Sequence, residues 1–457
     1  MMRLSEVALA TRGQLVGADV EFCCVGTDSR AIKQGQLFVA LKGENFDGHE
    51  YAAASLAQGA VGVLVSKAQN ASPAVQVKDT RLALGDLAAH WRAKFTMPVV
   101  AITGSNGKTT VKEMLAAILK VETGDHASVL ATQGNFNNDI GLPLTMLNLS
   151  NQHRYAVLEM GMNHAGELSY LTQLAKPNIA VVNNAGTAHI GELGSVEAIA
   201  KAKGEIFEGL ENGGIAVINA DDDFAELWKK LASKQQQITF GLDAKADVTA
   251  TYVLGEVDSN IELLAPVGKV SFTLPAPGLH NVQNALAAAS AALALNVSLE
   301  NIAKGLSEFV GAKGRLQAKQ GFAGSKVIDD TYNANPMSMK AAVDVLKASQ
   351  GKHIFVMGDM AELGDDAPSM HAEMGAYVKA AGIENLFALG NLSKMAVEAF
   401  GEGATHFESV EALAIALKKI MGSEVTVLVK GSRSMKMERV VDAIQLTQTN
   451  NNNGEKY

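Results

Sequence analysis

The sequence predicts an α/β protein of three domains, on the basis of its length, its composition and a recurring order of apolar strands and amphipathic helices. Its 457 residues exceed what one hydrophobic core usually supports. Hydrophobic residues make up 47% and charged residues 19%, as in a globular protein with ample core-forming material. We therefore expect a small N-terminal α/β domain over 1–83, a central parallel-sheet domain over 84–312 and a C-terminal Rossmann-like domain over 313–457.

Apolar runs separated by turns predict the strands of the first two domains. In the N-terminal domain such runs cover 36–41 and 61–65. The central domain is predicted to contain buried parallel strands at Val99–Thr103, Ala156–Glu159, Ile179–Asn183 and Ile215–Asn219. Alternating strand-like stretches follow over 237–274, and the alanine-rich segment Asn281–Asn296 then predicts a helix that packs closely against a neighbour.

A second doubly wound sheet is predicted beyond a boundary near Gly311–Gly314. Its strands are expected at Lys326–Asp329, Ile354–Met357, Leu386–Leu389 and Val425–Val429, with helical segments between them.

Charge and composition exclude several classes of protein. A formal net charge of −9 disfavours broad binding to nucleic acid or to anionic membranes, which requires a dominant basic surface. No segment approaches the roughly 20 apolar residues needed to cross a bilayer, and the adjacent Cys23 and Cys24 cannot staple distant segments. Zinc motifs of the His-Glu-x-x-His and Cys-x-x-Cys types are absent. We expect a cytoplasmic monomer in which any metal arrives with a nucleotide.

A phosphate-binding loop is predicted after the strand Val99–Thr103. It consists of Gly104, Ser105, Asn106, Gly107, Lys108, Thr109 and Thr110, and a one-faced apolar helix follows it. Such a loop points backbone N–H groups at phosphate, Lys108 adds a positive charge, and the Thr109 hydroxyl can ligate magnesium. Ile102 occupies the position of the first glycine of the general motif, so an ordinary glycine turn stays as the alternative. We favour phosphate binding, which makes the central domain a P-loop ATPase domain.

Two further polar side chains follow predicted strands. Glu159 would stand at the carboxyl end of a strand, where ligand crevices of α/β proteins lie, and is a candidate magnesium ligand. His189 occupies a similar loop. Taken alone, the acid could cap a helix or face solvent, and the histidine could be a hydrogen-bonded structural residue. The neighbouring phosphate loop favours the ligand interpretation of Glu159.

Three other residues stay undecided from their chemistry alone. Lys203 lies in a helical stretch over 196–210, where a lysine usually faces solvent. Asn281 and Asn284 follow Gly278 at a helix start and could present amides to a purine, although amides are common at helix caps.

These motifs, in this order, resemble the Mur ligase family over essentially the whole chain. They are Thr103–Thr110, Glu159–Gly161, His189, Gly278–Asn284, Gly314–Arg315 and Asp329–Pro336. The resemblance implies an N-terminal domain that holds a UDP-sugar, a central domain that holds ATP and magnesium, and a C-terminal domain that closes over them. It also implies a ligase of peptidoglycan-precursor synthesis that activates a carboxylate as an acyl phosphate and joins it to an amine.

Flanking motifs favour a family member that adds D-alanyl-D-alanine to a UDP-N-acetylmuramoyl-tripeptide. They are Thr27–Arg30, Ala40–Gly43, Asp47–His49, Gly134–Asn138 and Asp330–Met339. Within the family, folylpolyglutamate synthetase and the ligase that adds the third stem-peptide residue are the alternatives. Tyr332–Pro336 replaces the Asp-Asn-Pro pattern of ligases that recognise diaminopimelate, and the third residue of the accepted peptide stays open. Two alternatives lie outside the Mur ligase family. One is a regulatory P-loop NTPase, although the guanine-reading motif Asn-Lys-x-Asp is absent from this sequence. The other is a non-catalytic UDP-sugar-binding protein.

The resemblance assigns roles residue by residue. ATP contacts are implied for the phosphate loop, Asn281, Asn284, Arg315 and Asp330. Ligands of two magnesium ions are implied at Thr109, Glu159, His189 and Lys203, the last as a carbamylated lysine. Catalytic groups are implied at Lys108, His189, Lys203 and Arg315. Contacts to the UDP-linked substrate and the dipeptide are implied at Ser29, Arg30, Lys42, His49, Asn135, Asn138, Asn333 and Asn335.

Overall fold

Three sheets with mainly parallel strands organise the chain, as its strand pattern predicted. The computed structural model describes residues 1–67, 71–186, 190–211 and 213–446. The expected α/β class is confirmed in all three parts of the chain. Within those ranges, no helix is long and apolar enough to span a bilayer.

The N-terminal part is built on a five-stranded sheet. Its elements are β1 (Met2–Arg3), α1 (Leu4–Ala10), β2 (Gln14–Val16), β3 (Glu21–Phe22), β4 (Cys24–Gly26), β5 (Gln36–Val39), α2 (Ala52–Ala57), β6 (Gly62–Val65) and β7 (Ala74–Gln76). The sheet has the order β2-β7-β6-β5-β4, with β2 antiparallel to β7 and the other pairs parallel. Strands β1 and β3 pair separately.

Helix α3 (Thr80–Arg92) joins this sheet to the central domain. Asp79 begins the helix, because its carboxylate accepts the backbone N–H groups of Arg81 and Leu82. The buried residues of α3 belong to one apolar core that includes residues of both domains. Arg81 Nη2 also donates to Asp139 Oδ1 of the central domain at 2.7 Å. The predicted boundary at 83/84 therefore falls inside a packed helix that serves both domains.

The central domain contains a parallel sheet and a small antiparallel one. Its elements are β8 (Val99–Thr103), α4 (Lys108–Thr123), β9 (Val129–Ala131), α5 (Gly141–Met146), β10 (Tyr155–Glu159), α6 (Glu167–Ala175), β11 (Ile179–Val182), α7 (Ile190–Leu193), α8 (Val196–Gly204), β12 (Ile215–Asn219), α9 (Ala225–Leu231), β13 (Gln236–Phe240), β14 (Thr249–Leu254), β15 (Ser259–Ala265), β16 (Gly268–Leu274), α10 (Leu279–Ala294) and α11 (Leu299–Ser307). The six-stranded order is β13-β12-β11-β8-β10-β9, parallel throughout. Because β10 and β11 flank β8 on opposite sides, the order reverses at the carboxyl end of β8, where a ligand crevice is expected.

Alternate residues of the central strands enter two different cores. Val99 and Ala101 of β8 join the core shared with the N-terminal domain. Val100 and Ile102 join a second core, which contains the apolar faces of α4 and α10. Burial on both faces explains why these strands are continuous apolar runs in the sequence.

Small residues allow the helices on the second face to pack closely, as the alanine-rich segment predicted. The buried alanines of α10 are Ala285, Ala287, Ala288, Ala289, Ala291 and Ala292. In α11, Gly305 lies against α4 so tightly that an added Cβ would stand 2.4 Å from the Cα of Ile118. The two backbones therefore approach at a distance that only glycine permits.

The C-terminal domain contains a second six-stranded sheet. Its elements are β17 (Gln317–Gln320), β18 (Lys326–Asp330), α12 (Pro336–Ala348), β19 (Lys352–Gly358), α13 (Ala367–Ala380), β20 (Asn385–Leu389), α14 (Ser393–Phe400), β21 (Ala404–Phe407), α15 (Val410–Lys418), β22 (Val425–Lys430) and α16 (Glu438–Ile444). The order is β17-β18-β22-β19-β20-β21, with β17 antiparallel and the rest parallel. Asp330 and Lys430, which end β18 and β22, are paired in register at the carboxyl edge of this sheet.

We expect Gly305→Ala to destabilise the protein, although alanine favours a helix over glycine by about 1 kcal/mol. The new methyl group would meet the backbone of Ile118 at 2.4 Å, and overpacking of this kind costs about 1–3 kcal/mol. The midpoint of urea unfolding should therefore fall. Gly422→Ala is the matched control, since nothing lies within 4 Å of a Cβ built there. Equal midpoints for the two variants would contradict the close contact between α4 and α11.

Candidate active site

The phosphate loop connects β8 to α4 at the carboxyl end of the central sheet. Gly107, directly before α4, has a φ of 79°, and a Cβ there would lie 2.2 Å from a side-chain oxygen of α10, so only glycine fits. The segment that follows β11 is hydrogen-bonded to the phosphate loop. Asn184 Oδ1 accepts the N–H of Asn106 at 2.8 Å, and Ser105 Oγ accepts the N–H of Gly186 at 2.8 Å. The loop is thus fixed on the side opposite to α4.

Lys108 begins α4 and folds back over the loop. Its Nζ donates to the carbonyl oxygen of Gly104 at 2.6 Å. Burial lowers the pKa of the ammonium group, and the carboxylate of Glu159 opposes that shift. An ammonium held by a loop carbonyl in this way can exchange that carbonyl for a phosphate oxygen.

Glu159 ends β10, is only 2% exposed, and has both carboxylate oxygens hydrogen-bonded. Oε2 accepts from Thr109 Oγ1 at 2.8 Å, and Oε1 accepts from Asn137 Nδ2 at 2.7 Å. The backbone N–H of Glu159 donates to Thr132 Oγ1 at 3.0 Å. Three neighbours therefore orient the carboxylate towards the first turn of α4.

The pair formed by Glu159 and Thr109 fits magnesium. This ion prefers oxygen ligands and is commonly held by one or two carboxylates, while substrate phosphates and water complete its shell. Across the described ranges, no three His, Cys, Asp or Glu side chains gather into a group that could hold a metal by themselves. The predicted ligand His189 lies outside the described residues.

A cavity of about 780 Å³ extends from the phosphate loop between the central and C-terminal domains. Its lining includes the predicted nucleotide-binding residues Asn106, Gly107, Thr110, Asn281, Asn284, Arg315 and Asp330, together with apolar residues such as Pro275, Ala276, Pro277 and Phe309. The two α10 amides are joined, since Asn284 Nδ2 donates to Asn281 Oδ1 at 3.3 Å. Residues predicted from separate motifs thus meet in one cleft, with apolar surface available for a flat base.

Two buried donors in this cleft have no hydrogen-bond partner within the described structure. They are Arg315 Nε and Asn106 Nδ2. The guanidinium of Arg315 is held over the ring of Tyr332, with 4.2 Å between its central carbon and the ring centroid. Unpaired buried donors are costly, and both of these point to a cleft in which a phosphate oxygen can accept from them.

Asp330 and Asn333 are linked by one buried ammonium group. Lys430 is 1% exposed, and its Nζ contacts Asp330 Oδ2 at 2.6 Å and donates to the carbonyl oxygen of Asn333 at 2.9 Å. Burial lowers the pKa of Lys430, and Asp330 opposes the shift. The predicted ribose contact and the loop after β18 therefore share a single cation.

Asn335 joins the C-terminal domain directly to the phosphate loop. Its Nδ2 donates to Asn106 Oδ1 at 2.8 Å, and its Oδ1 accepts the N–H of Ser338 at 2.9 Å to begin α12. The residue thus caps a helix and bridges two domains at once. The structure accordingly places the 331–335 loop beside the residues predicted to hold phosphate.

Lys203 points inwards from α8, contrary to the usual position of a helical lysine. It is 2% exposed. Burial lowers its pKa well below the ordinary value, the charge of Lys108 acts in the same direction, and Asp222 opposes both. The site therefore favours the neutral amine.

Three of the residues predicted to bind the UDP-linked substrate lie on the surface of the N-terminal domain. Arg30 is exposed and forms a two-pronged ion pair with Asp28, with Nε–Oδ1 at 2.8 Å and Nη2–Oδ2 at 2.9 Å. Ser29 is half-buried and Lys42 is exposed. All three are outside the described lining of the cleft, so their role stays a prediction.

His49, the fourth of these residues, is 4% exposed and has both ring nitrogens engaged inside its domain. Nδ1 lies 2.5 Å from Asp47 Oδ1, and Nε2 accepts the N–H of Ser66 at 2.9 Å. The ring therefore orders the loop that precedes it. Any contact of His49 with substrate stays a prediction.

In the segment 134–138, the residue that contacts the candidate active site is not one of the two that the sequence predicted. Asn135 is exposed, and Asn138 Oδ1 accepts the N–H of Gly141 at 2.9 Å, where α5 begins. Asn137, which was not among the predicted site residues, holds Glu159. The run of asparagines indicated a polar loop, but the turn decides which of them faces the carboxylate. Thr132 and Lys430 were also missed, because neither lies in a motif that identifies its partner.

A phosphate loop at a sheet switch point, a buried carboxylate beside it and a second α/β domain over it define a P-loop nucleotide-binding enzyme. Family models agree with this class. The model of the Mur ligase middle domain matches residues 102–292, that of the "Mur ligase, glutamate ligase domain" matches 314–433, and that of the "Mur ligase family, catalytic domain" matches 21–92. The chain belongs to the Mur ligase family and is an ATP-dependent ligase.

Individual relatives cover nearly the whole chain. It is 43% identical to the UDP-N-acetylmuramoyl-tripeptide–D-alanyl-D-alanine ligase of Escherichia coli strain K12, over 97% of this chain and 98% of the relative. A ligase of the same name from Bacillus subtilis strain 168 is 37% identical, over 91% and 92%. Crystal structure I of MurF from Acinetobacter baumannii superposes with a TM-score of 0.89 at 39% identity, covering 96% of this chain and 97% of the other. MurF from Thermotoga maritima in complex with ADP has a TM-score of 0.81 at 28% identity, covering 92% and 96%.

We expect Lys108→Ala to lower the rate of ATP-dependent phosphate release at least about 100-fold, because it removes a preorganised cation from the phosphate site. The fold should persist, since the side chain lies at the cleft and its removal opens no apolar cavity. Phosphate release and circular dichroism measure the two effects. Lys120→Ala, at the far end of α4, is the control and should keep wild-type turnover. A Lys108→Ala protein with wild-type turnover would refute the phosphate role.

Proposed function

We propose that the chain adds D-alanyl-D-alanine to UDP-N-acetylmuramoyl-tripeptide and so forms the pentapeptide precursor of peptidoglycan. The observation that carries the proposal is the bond from Asn335 to Asn106, because it brings the 331–335 loop of the C-terminal domain onto the phosphate loop. A ligase requires these two loops to lie close together, because the amine of the acceptor must reach the carboxylate that has been activated by the γ-phosphate of ATP. Identity to ligases of this name over almost the full chain supports the same substrates.

The reaction needs no side-chain nucleophile. A carboxylate oxygen of the tripeptide attacks the γ-phosphorus of ATP, the bond from that phosphorus to its bridging oxygen breaks, and ADP leaves. The free amine of D-alanyl-D-alanine then attacks the acyl carbon and loses a proton, and inorganic phosphate leaves as the peptide bond forms. Catalysis therefore depends on positioning and on neutralising charge.

The residues of the cleft would each bind a different part of the substrates. Lys108 and Arg315 would bind the phosphates, with the unpaired Nε of Arg315 as one donor. Asn281 and Asn284 would contact the adenine, and Asp330 would contact the ribose. Asn333 and Asn335 would orient the dipeptide from the loop after β18.

The implied magnesium ions would offset the repulsion between the tripeptide carboxylate and the triphosphate. Thr109 and Glu159, already hydrogen-bonded to each other, would hold the first ion at the phosphate loop. His189 and Lys203 are the proposed ligands of the second.

Lys203 is proposed to serve as a carbamate. Its neutral amine nitrogen would attack the carbon of carbon dioxide and release one proton, giving an anionic group with two oxygens. The lowered pKa of Lys203, caused by burial and by Lys108, supports the step because it supplies the neutral amine. An ammonium group beside a metal ion would add repulsion, whereas carbamate oxygens are ligands that magnesium prefers.

The N-terminal domain is proposed to hold the sugar nucleotide. Ser29, Arg30, Lys42 and His49 would act there, with Asn135 and Asn138 of the central domain contacting the same substrate. A diphosphate needs local cations in a protein of net charge −9, and Arg30 and Lys42 are exposed cations of this domain. We place the reaction in the cytoplasm and propose a monomer as the working form.

Phosphate release from wild-type protein, measured against a matrix of UDP-muramoyl peptides and amine acceptors, tests this function. Release should require ATP, the tripeptide substrate and D-alanyl-D-alanine together, and the product should gain the mass of the dipeptide less one water. UDP-N-acetylmuramoyl-dipeptide with a single amino acid is the negative control. Release that needs neither cosubstrate, or that prefers the control pair, would refute the proposal.

We expect Lys203→Ala to lose most of its phosphate release and to recover part of it when a short carboxylic acid is added. The added carboxylate can occupy the position of the lost carbamate and supply oxygens to the metal. Lys201→Ala is the control, because Lys201 lies on the same helix with its side chain 61% exposed. The carbamate carbon signal in a carbon-13 NMR spectrum, recorded at neutral pH under labelled bicarbonate, checks the modification of the wild-type protein. Full activity of Lys203→Ala, or an unmodified Lys203 in active enzyme, would exclude the carbamate.

A further inference from the structure

We propose that Lys112 is a positioning residue of the magnesium site, which acts by fixing the loop that orients Glu159. The inference rests on the proposed function in one respect, namely that Glu159 binds the metal. Lys112 lies in α4, four residues after Lys108, and belongs to none of the motifs that identify the site.

Lys112 is completely enclosed. It is 1% exposed, and its Nζ donates to the carbonyl oxygen of Thr132 at 2.6 Å and lies 2.7 Å from Glu113 Oε1. Thr132, itself 1% exposed, is the first residue after β9 and begins the loop that leads to Asn137. One buried ammonium group therefore ties the helix of the phosphate loop to the beginning of this second loop.

The second loop holds Glu159 at two points. Thr132 Oγ1 accepts the backbone N–H of Glu159 at 3.0 Å, and Asn137 Nδ2 donates to Glu159 Oε1 at 2.7 Å. The loop is also attached beyond Glu159, where the carbonyl oxygen of Asn137 accepts the N–H of Gly161 at 2.8 Å. The other carboxylate oxygen of Glu159 is held by Thr109 of α4. The carboxylate of Glu159 is thus hydrogen-bonded to both α4 and the second loop, and Lys112 fixes the distance between α4 and this loop.

Energetics argue against a purely structural role. Burying an ammonium group costs several kcal/mol, and well-packed apolar residues in place of a buried ion pair are often neutral or stabilising. Here the counter-charge Glu113 is 37% exposed, so part of its charge is screened by water. An apolar side chain in place of Lys112 would avoid the cost of burying the charge but would leave the carbonyl oxygen of Thr132 without this donor. The structure retains a directed donor at the one place where it can hold the carbonyl oxygen of Thr132.

The position of Lys112 on α4 places its contact with Thr132 next to the other site residues of the helix. Lys112 lies three residues after Thr109 and four after Lys108, so all three share one face of the helix. The loop-fixing ammonium therefore lies one turn along the helix from both the phosphate cation and the metal-side hydroxyl. Loss of the Lys112 ammonium group should leave Lys108 and Thr109 in place and let the carboxylate of Glu159 move away from Thr109.

The test is Mn²⁺ binding, followed by electron paramagnetic resonance in the presence of a non-hydrolysable ATP analogue, on the full-length chain. We expect Lys112→Met to weaken Mn²⁺ binding about 10-fold or more, as is usual when a residue that orients a metal ligand is lost. The Tm measured without ligand should fall, because the buried carbonyl oxygen of Thr132 loses a donor, while the circular dichroism spectrum should stay that of the folded protein. In steady-state assays, Lys112→Met should need more Mg²⁺ for half-maximal phosphate release and should regain much of its kcat when Mg²⁺ is raised.

Lys120→Met is the matched control, because it makes the same change on the same helix away from the second loop, and it should bind Mn²⁺ as wild type does. Thr132→Val removes the hydroxyl that accepts the N–H of Glu159 and should weaken Mn²⁺ binding in the same direction. It also decides the matter if Lys112→Met does not fold. Wild-type Mn²⁺ affinity in Lys112→Met, or in Thr132→Val where that variant decides, would overturn the proposal.

The Mn²⁺ readout separates this inference from the proposed function. Glu159→Gln should lose Mn²⁺ binding if Glu159 is a metal ligand, whatever the substrates of the enzyme are. A wild-type protein that binds Mn²⁺ with nucleotide but does not join the dipeptide would refute the proposed substrates and leave the role of Lys112 standing.

Discussion

Buried positive charge at the carboxyl ends of the strands is the constraint on which the rest of the site depends. The chain has a net charge of −9 and must still gather a triphosphate and a carboxylate in one cleft. Around that cleft lie enclosed lysines, of which Lys112 and Lys430 are each 1% exposed. Lys430 ends β22 and lines the cleft, and Lys112 holds the loop after β9, so the cost of burying each charge is tied to the position of a loop beside the site.

These cations also explain why the polar residues around them are so fully connected. A buried charge requires oriented oxygen atoms, and Lys112 and Lys430 obtain them from backbone carbonyl groups as well as from carboxylates. A carbonyl oxygen held in this way fixes the loop to which it belongs. The same contacts that satisfy the charge therefore make the loops after β9 and β18 rigid enough to present Asn137 and Asn335 at defined positions.

The sequence predicted features that are local or repetitive. Strands such as Val99–Thr103 could be recognised because they are buried on both faces and become continuous apolar runs. The phosphate loop and Glu159 could be recognised because a single segment supplies their chemistry. The inward direction of Lys203 could not be deduced from its helix, since only tertiary packing decides which face is enclosed.

Contacts between distant segments were the other part that sequence patterns did not reveal. Asn137 and its neighbours have the same chemistry, and the turn alone selects the one that reaches Glu159. The domain boundary at 83/84 was inferred from composition, which does not show that α3 packs on both sides of it. Residues taken from separate family motifs, such as Asn281 and Arg315, line the same cleft, while their roles stay predictions.

The core that α3 shares between the N-terminal and central domains has a consequence for how the C-terminal domain can act on the site. Because these two domains share one apolar core, they form one packed half of the molecule, and the phosphate loop belongs to that half. The C-terminal domain has separate cores and meets that half through polar contacts such as Asn335 with Asn106, after a connection in which Gly311 and Gly314 have φ values of 81° and 67°. Among the described residues, the C-terminal domain, which carries the 331–335 loop, has no core in common with the other two domains. Arg315 and Asp330 come from the C-terminal domain as well, so any change in its position relative to the phosphate loop would act on the predicted nucleotide contacts and on the 331–335 loop together.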